Sequence, residues 1–237
     1  MGGKSSYLRQ LALVVLMAQV GSYVPATSVR LHGLFDGVYT RMGASDSLTA
    51  GRSTFFVELQ QTANILRHAT RRSLVILDEL GRGTSTHDGT AVAVATLRYL
   101  VDRQIPTLFV THYPVLADLA TQLAPAGRNF HMGYIDDAEG LAGQRVTFLY
   151  QLMAGAASRS FGLNVGRLAR LPASLLSTAA GQSAALETAT RRRTRAALFA
   201  RFAQLVAKFP AEGTAAHPPA LQALEELAAQ VKRAVDD

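Results

Sequence analysis

Apolar positions along this chain repeat with two different periods, and the places where the period changes mark its elements. From Lys4 to Val20 they fall at helical spacing, with Tyr7, Leu11, Val14, Val15 and Ala18 in register, which predicts a buried helix. Strand-like text follows around Leu34 to Met42. The segment Gly43 to Arg52, rich in Gly, Ser and Thr, then opens a helix from about Ser53 to Ala69 whose stripe is Leu59, Thr62, Ile65, Leu66 and Ala69. Ser73 to Leu77 is a continuous strand, apolar from Leu74 onward, and runs into the acidic pair Asp78-Glu79. Alternation is needed only where one face of a strand meets water, so an unbroken run suits a central parallel strand covered on both faces. After a loop over Leu80 to Thr86, an alanine-rich helix is predicted from about Asp88 to Asp102. Thr107 to Thr111 is a second buried strand, ending at His112. Strand, helix and strand, with polar side chains at the strand C-termini, describe an α/β sheet with its site along that edge.

Further on, Phe130 to Asp136 and Arg145 to Gln151 flank the turn text Asp137 to Gly143 and predict a hairpin. Beyond Leu171-Pro172 the chain becomes helical, alanine-rich and more charged. Ala211 to Pro219 reads as a linker, and Leu221, Leu224, Leu227 (or Ala228) and Val231 form a last amphipathic stripe. No internal repeat is visible.

Composition adds bounds rather than a function. A chain of 237 residues with 49% apolar residues can bury one full domain and carry an appendage. With no cysteine, disulfides and thiolate zinc sites are excluded. The 24 Lys+Arg against 17 Asp+Glu give a net charge of +7, which fits a nucleic-acid partner and equally a basic soluble protein rich in arginine and alanine. Two N-terminal patterns mislead. Lys4 and Arg9 ahead of the apolar run Leu11 to Val20 imitate a secretory leader, and Met1-Gly2-Gly3-Lys4-Ser5-Ser6 fits the loose myristoylation pattern. The run is shorter than the roughly 20 apolar residues that span a bilayer.

Gly2-Gly3-Lys4-Ser5 has the form of the second half of a phosphate-binding loop, in which backbone N–H groups and a helix N-terminus cradle phosphates. In such a loop Lys4 reaches the β- and γ-phosphates and Ser5 holds Mg²⁺. Alone, the same residues fit an ordinary helix start. Four apolar residues and then Asp78-Glu79 have the shape of a Walker B strand: Asp78 can hold Mg²⁺ through water, and Glu79 can orient or deprotonate the attacking water. A strand that merely ends in solvated acids is the plain alternative. Both elements in this order favour a nucleotide-hydrolysing domain. His112 stands where a side chain can contact a γ-phosphate, or is a strand-end histidine with no such duty. Ser53 and Thr54 open a helix where free N–H groups can meet an anion, or simply cap it. Arg191, Arg192, Arg193 and Arg195 can bind phosphate backbone, or form a solvated helix face.

Together, Gly21-Ser22-Tyr23-Val24-Pro25-Ala26, Ser53-Thr54-Phe55, Leu77 to Thr86 and Thr111-His112-Tyr113 resemble the ATPase domain of the MutS family. The stretch Asp78-Glu79-Leu80-Gly81-Arg82-Gly83-Thr84-Ser85-Thr86 is its most specific part. The likeness runs through Ala156 to Val165 as far as Pro172, about three quarters of the chain. Tyr39 to Ala44, Phe130 to Tyr134 and Phe148 to Gln151 are most similar to the third eukaryotic MutS homologue.

The resemblance implies an ABC-type P-loop ATPase over residues 1–172 and a helical pairing tail over 173–237. It implies ATP and Mg²⁺ as cofactors, with Gly2, Gly3, Lys4, Ser5 and Ser6 at the phosphates, Ser5 and Asp78 at the metal, Glu79 as catalytic base and His112 as switch residue. Ser53 and Thr54 would face the nucleotide of a partner MutS homologue in a heterodimer. The family pattern further implies a nuclear protein of mismatch repair that recognises insertion–deletion loops in double-stranded DNA through domains outside this sequence, with no membrane association. The family's loop reads Gly-Pro-Asn-Met-Gly-Gly-Lys-Ser, and this sequence begins at that Met. An N-terminally truncated ATPase is therefore expected, and residues 1–237 taken literally are expected to bind MgATP poorly. Rival readings are a non-catalytic module that docks on a partner homologue and another DNA-linked ABC ATPase. Members of the latter group carry Leu-Ser-Gly-Gly-Gln where Ser53-Thr54-Phe55 stands here.

Overall fold

A computed structural model describes residues 2–43, 53–137, 145–157, 161–207 and 227–228. The chain divides into two compact units, Met1–Ser160 and Phe161–Asp237.

In the first unit, helix α1 (Lys4–Gln19) is followed by strand β1 (Gly37–Arg41), helix α2 (Thr54–His68), strand β2 (Ser73–Asp78), helix α3 (Thr86–Asp102) and strand β3 (Thr107–Val110). The three strands form a parallel sheet in the order β1-β2-β3, with Val38 opposite Leu74 and Ile76 opposite Leu108. β2 is central, and all six of its residues are buried. Its side chains divide between two cores. Leu74 and Ile76 pack with Leu8, Ala12 and Val15 of α1, whereas Val75 and Leu77 pack with Ile65 of α2, Leu100 of α3, Leu80 and Ile105. Helices therefore cover both faces, which is why β2 shows no alternation. Full burial of each valine, leucine and isoleucine among these contributes about 1.5–3 kcal/mol.

The α/β reading stands, with local differences. α1 buries Leu8, Ala12 and Val15, while Tyr7, Leu11, Val14 and Ala18 flank that line half-buried. The helix is apolar on several sides, so composition alone leaves its rotation open. α2 begins after Ser53 as predicted, but its buried line is Glu58, Thr62 and Ile65. α3 starts at Thr86, two residues earlier than expected. β3 is only half-buried, because it has a strand neighbour on one side among the described residues.

Helix α4 (Pro114–Gln122) follows β3, and strands β4 (Phe130–Asp137) and β5 (Arg145–Ala154) form the expected antiparallel hairpin, with an irregularity between Met132 and Tyr134. The second unit holds the short helix α5 (Gly162–Leu168) and the long helix α6 (Ala173–Val206). Periodicity did not predict α4 or α5, which are nine and seven residues long, too short to show a full stripe. Of the last apolar stripe, Leu227 and Ala228 are described, in helical conformation, with Leu227 buried and Ala228 exposed. The linker 211–219, the turn 138–144 and the loop 44–52 lie outside the described residues.

Candidate functional site

The sheet brings three loops together at the C-terminal ends of its strands. Gly3 caps α1 at φ 84°, a left-handed conformation that a side chain resists. A Cβ there would also stand 3.0 Å from the Tyr150 ring. The chain turns at Gly3, and Lys4, Ser5 and Ser6 form the first turn of α1, where backbone N–H groups have no helical acceptors. No acidic residue occupies that turn, so nothing in it competes with an incoming anion.

Asp78 ends β2 and is buried. Ser5 Oγ donates to Asp78 Oδ2 at 2.6 Å, whereas Oδ1 is buried without a hydrogen-bond partner among the described residues. A buried carboxylate oxygen left unpaired carries the full desolvation cost of that group, so the atom calls for a cation or a donor. Hard oxygen donors from a serine and an aspartate suit Mg²⁺, which takes few protein ligands and completes its shell with water or phosphate oxygens.

Glu79, the next residue, has φ 58°. Holding a non-glycine residue there costs about 1–2 kcal/mol, and the surroundings hold it. Its N–H donates to Val110 O at 2.8 Å, extending the β2–β3 ladder by one bond. Its carboxylate is shared: Oε1 lies 2.7 Å from His112 Nε2, and Oε2 accepts from Arg82. Lys4 Nζ stands 3.3 Å from the same His112 Nε2. A neutral ring nitrogen carries either a proton or a lone pair, so Nε2 donates to Glu79 or accepts from Lys4 but not both at once. The histidine can thus exchange partners as charge arrives at the loop.

Lys4, Ser5, Asp78, Glu79 and His112, up to 108 positions apart in sequence, therefore meet in one cluster with Gly2, Gly3 and Ser6 beside it. Ser53 and Thr54 stand apart from it. Both are exposed at the start of α2, Ser53 makes no capping hydrogen bond, and no described hydrogen bond joins either residue to the cluster. The arginine run lies along α6, where Arg191 pairs with Glu187 at 3.1 Å and Arg195 stands over the Phe199 ring. Among the described residues there is no group of three or more His, Asp or Glu placed to hold a metal, and no helix is long and apolar enough to cross a membrane.

Periodicity and motif spacing gave no role to the residues that hold this cluster. Arg41 and Glu58 form a buried ion pair at 3.2 Å. Glu58 Oε1 also accepts from the Gly81 N–H at 2.7 Å, and Tyr113 Oη donates to Gly81 O at 2.9 Å. A signal was present: Glu58, Thr62 and Ile65 recur at helical spacing, which puts a carboxylate on the buried side of α2.

Comparison with known proteins places the chain in a family. A family model described as MutS domain V matches residues 1–187. The chain is 55% identical over 216 residues to the DNA mismatch repair protein msh3 of Aspergillus fumigatus, covering 90% of this chain and 19% of that protein. It is 57% identical over 196 residues to MSH3 of Coccidioides immitis, covering 81% of this chain and 17% of that protein. Against Msh3 of Dictyostelium discoideum it is 52% identical over 199 residues, covering 81% and 14% respectively. The chain thus spans less than a fifth of the length of these curated relatives. With a matching family model over most of its length and relatives more than half identical to it, the chain belongs to the MutS family of DNA mismatch-repair proteins.

Proposed function

We propose that this chain is the ATP-hydrolysing part, of ABC type, of a mismatch-repair protein that recognises insertion–deletion loops in DNA. The observation that carries this reading is the meeting of Lys4, Ser5, Asp78, Glu79 and His112 at the strand C-termini. Each residue has a role its chemistry can fill. Gly2, Gly3 and the first turn of α1, including Ser6, offer N–H groups to phosphate oxygens, and Lys4 adds a mobile positive charge. Ser5 and Asp78 would hold Mg²⁺, whose charge, when bound, offsets that of the phosphates. Glu79 orients the attacking water and takes its proton. His112, already hydrogen-bonded to Glu79, reads whether a γ-phosphate is present.

The exposed Ser53 hydroxyl and the uncapped start of α2 support a second role, in trans. In a heterodimer with another MutS homologue, Ser53 and Thr54 would approach the partner's nucleotide. We assign the pairing itself to residues 173–237. We assign lesion reading to domains outside this sequence, and the protein to the nucleus.

The test is ATP turnover by the full-length protein with its partner homologue, with and without looped DNA. Removing a general base lowers rates about 10²–10⁴-fold, so Glu79→Gln is expected to lose turnover on that scale while still binding MgATP. Hydrolysis at the wild-type rate by Glu79→Gln, with the partner's own site disabled, would overturn the reading.

A further inference from the structure

We infer that Arg41 and Glu58 are positioning residues that fix the turn carrying Glu79 and tie it to the first turns of α2. The inference rests on the reading of Glu79 as the hydrolytic base, and goes beyond it by naming what holds that base in place.

Four observations support it. Arg41 and Glu58 are each more than nine-tenths buried, and their side chains meet at 3.2 Å. Both then reach the backbone on either side of Glu79. Arg41 Nη1 donates to Asp78 O at 3.4 Å, and Glu58 Oε1 accepts from Gly81 N–H at 2.7 Å. Glu79 itself sits in the left-handed region at φ 58°, a conformation that persists only where the surroundings over-determine it. A separate contact joins the same two elements: a Cβ on Gly83 would lie 2.9 Å from Phe55 Cβ, so the loop after Glu79 presses on the first turn of α2.

A pair this deep is a poor way to gain stability. Desolvating both charges roughly cancels their attraction, and apolar replacements of similar volume are often tolerated. Its geometry has a better use. The pair spans β1, α2 and the Asp78–Gly81 turn, and Ser53 immediately precedes the helix from which Glu58 projects. A displacement of the Ser53 end of α2 would thus be passed to the turn that aims Glu79.

The experiment compares two variants in the full-length protein with its partner homologue: Glu58→Gln, and the double variant Arg41→Met with Glu58→Leu. Turnover at saturating ATP, equilibrium MgATP affinity and melting temperature are read for each. A misplacement of about 1 Å can cost on the order of a hundredfold in rate. The double variant is therefore expected to lose turnover on that scale with its ATP affinity close to wild type and its melting temperature lowered only by the unpaired Gly81 N–H. Glu58→Gln keeps an acceptor for the Gly81 N–H and is expected to recover part of the loss. Wild-type turnover in the double variant would overturn the inference. So would turnover, affinity and melting temperature falling together, since that marks a purely structural pair. Glu79→Gln run alongside separates the two readings: if it is inert while both Glu58 variants are normal, the positioning role alone fails.

Discussion

Strand β2 and helix α6 stand at opposite ends of what a sequence can be asked to do. β2 has six residues, all buried, and each one faces a neighbour that would notice its loss. α6 has 34 residues, about 51 Å at 1.5 Å per residue, and none of its described residues is buried. Leu175, Leu186 and Phe199 are all exposed there. One element is specified by packing from both sides, while the other is carried by alanine propensity and by local pairs such as Glu187–Arg191. The cluster of polar side chains collects where the backbone is fixed: Asp78 ends β2 and Glu79 follows it, whereas the arginine run on α6 is exposed.

Substitutions should separate the two elements by size of effect. The largest is expected from Leu77→Ala, which empties a fully buried position and should cost about 2–5 kcal/mol by denaturant unfolding. Next is Gly81→Ala. Gly81 has φ 97°, and a Cβ there would lie 2.4 Å from Gly89 O, so a loss of about 1–3 kcal/mol is expected, together with slower ATP turnover. On α6 the sign should reverse. Gly181 is exposed with nothing within 4 Å of its would-be Cβ, so Gly181→Ala should stabilise the helix by roughly 0.5–1 kcal/mol, measured by thermal melting of the circular dichroism signal. A penalty there would mean that α6 is packed after all.

The smallest effect is expected at Asp36, at the start of the turn into β1. Hydrogen bonds from Thr70 and Ser73, and then the Arg72 charge, hold its carboxyl below the usual carboxylate range. A pKa lower in the folded chain than in the unfolded one means the carboxylate stabilises the fold above about pH 4. That contribution fades as pH falls through the folded value. Asp36→Asn should therefore lower the melting temperature slightly at neutral pH and leave it nearly unchanged near pH 2. An equal loss at both pH values would show that the hydrogen-bond geometry matters more than the charge.

Much of the fold was legible in the sequence. The unbroken run Leu74 to Leu77 announced a doubly covered strand because both of its faces had to be apolar. Ser53 marked the start of α2, and the two runs around Asp137 to Gly143 gave the hairpin. The motif residues were equally plain, since Gly-Lys-Ser and Asp-Glu each carry their chemistry in residue type and order. Less was legible where residue type misleads. Glu58 reads as a surface charge until Arg41 and Gly81 N–H are placed against it, and Arg41 reads as a strand-end cation. Rotation of α1 was open for a related reason, as a helix apolar on several sides has no single line to bury.

The sequence by itself determined the elements other than α4 and α5, the central place of β2, the family, and the side chains whose chemistry suits phosphate, metal and water. These depend on local periodicity and on residue chemistry, which are properties of short stretches. Only the tertiary structure decided that Lys4 stands 3.3 Å from His112, that Ser5 bonds to Asp78, and that a buried Arg41–Glu58 pair brackets the turn of Glu79. Those relations join residues 17 to 108 positions apart. Parallel strand pairing sets them, by bringing distant loops to one edge of a sheet whose order no local pattern encodes.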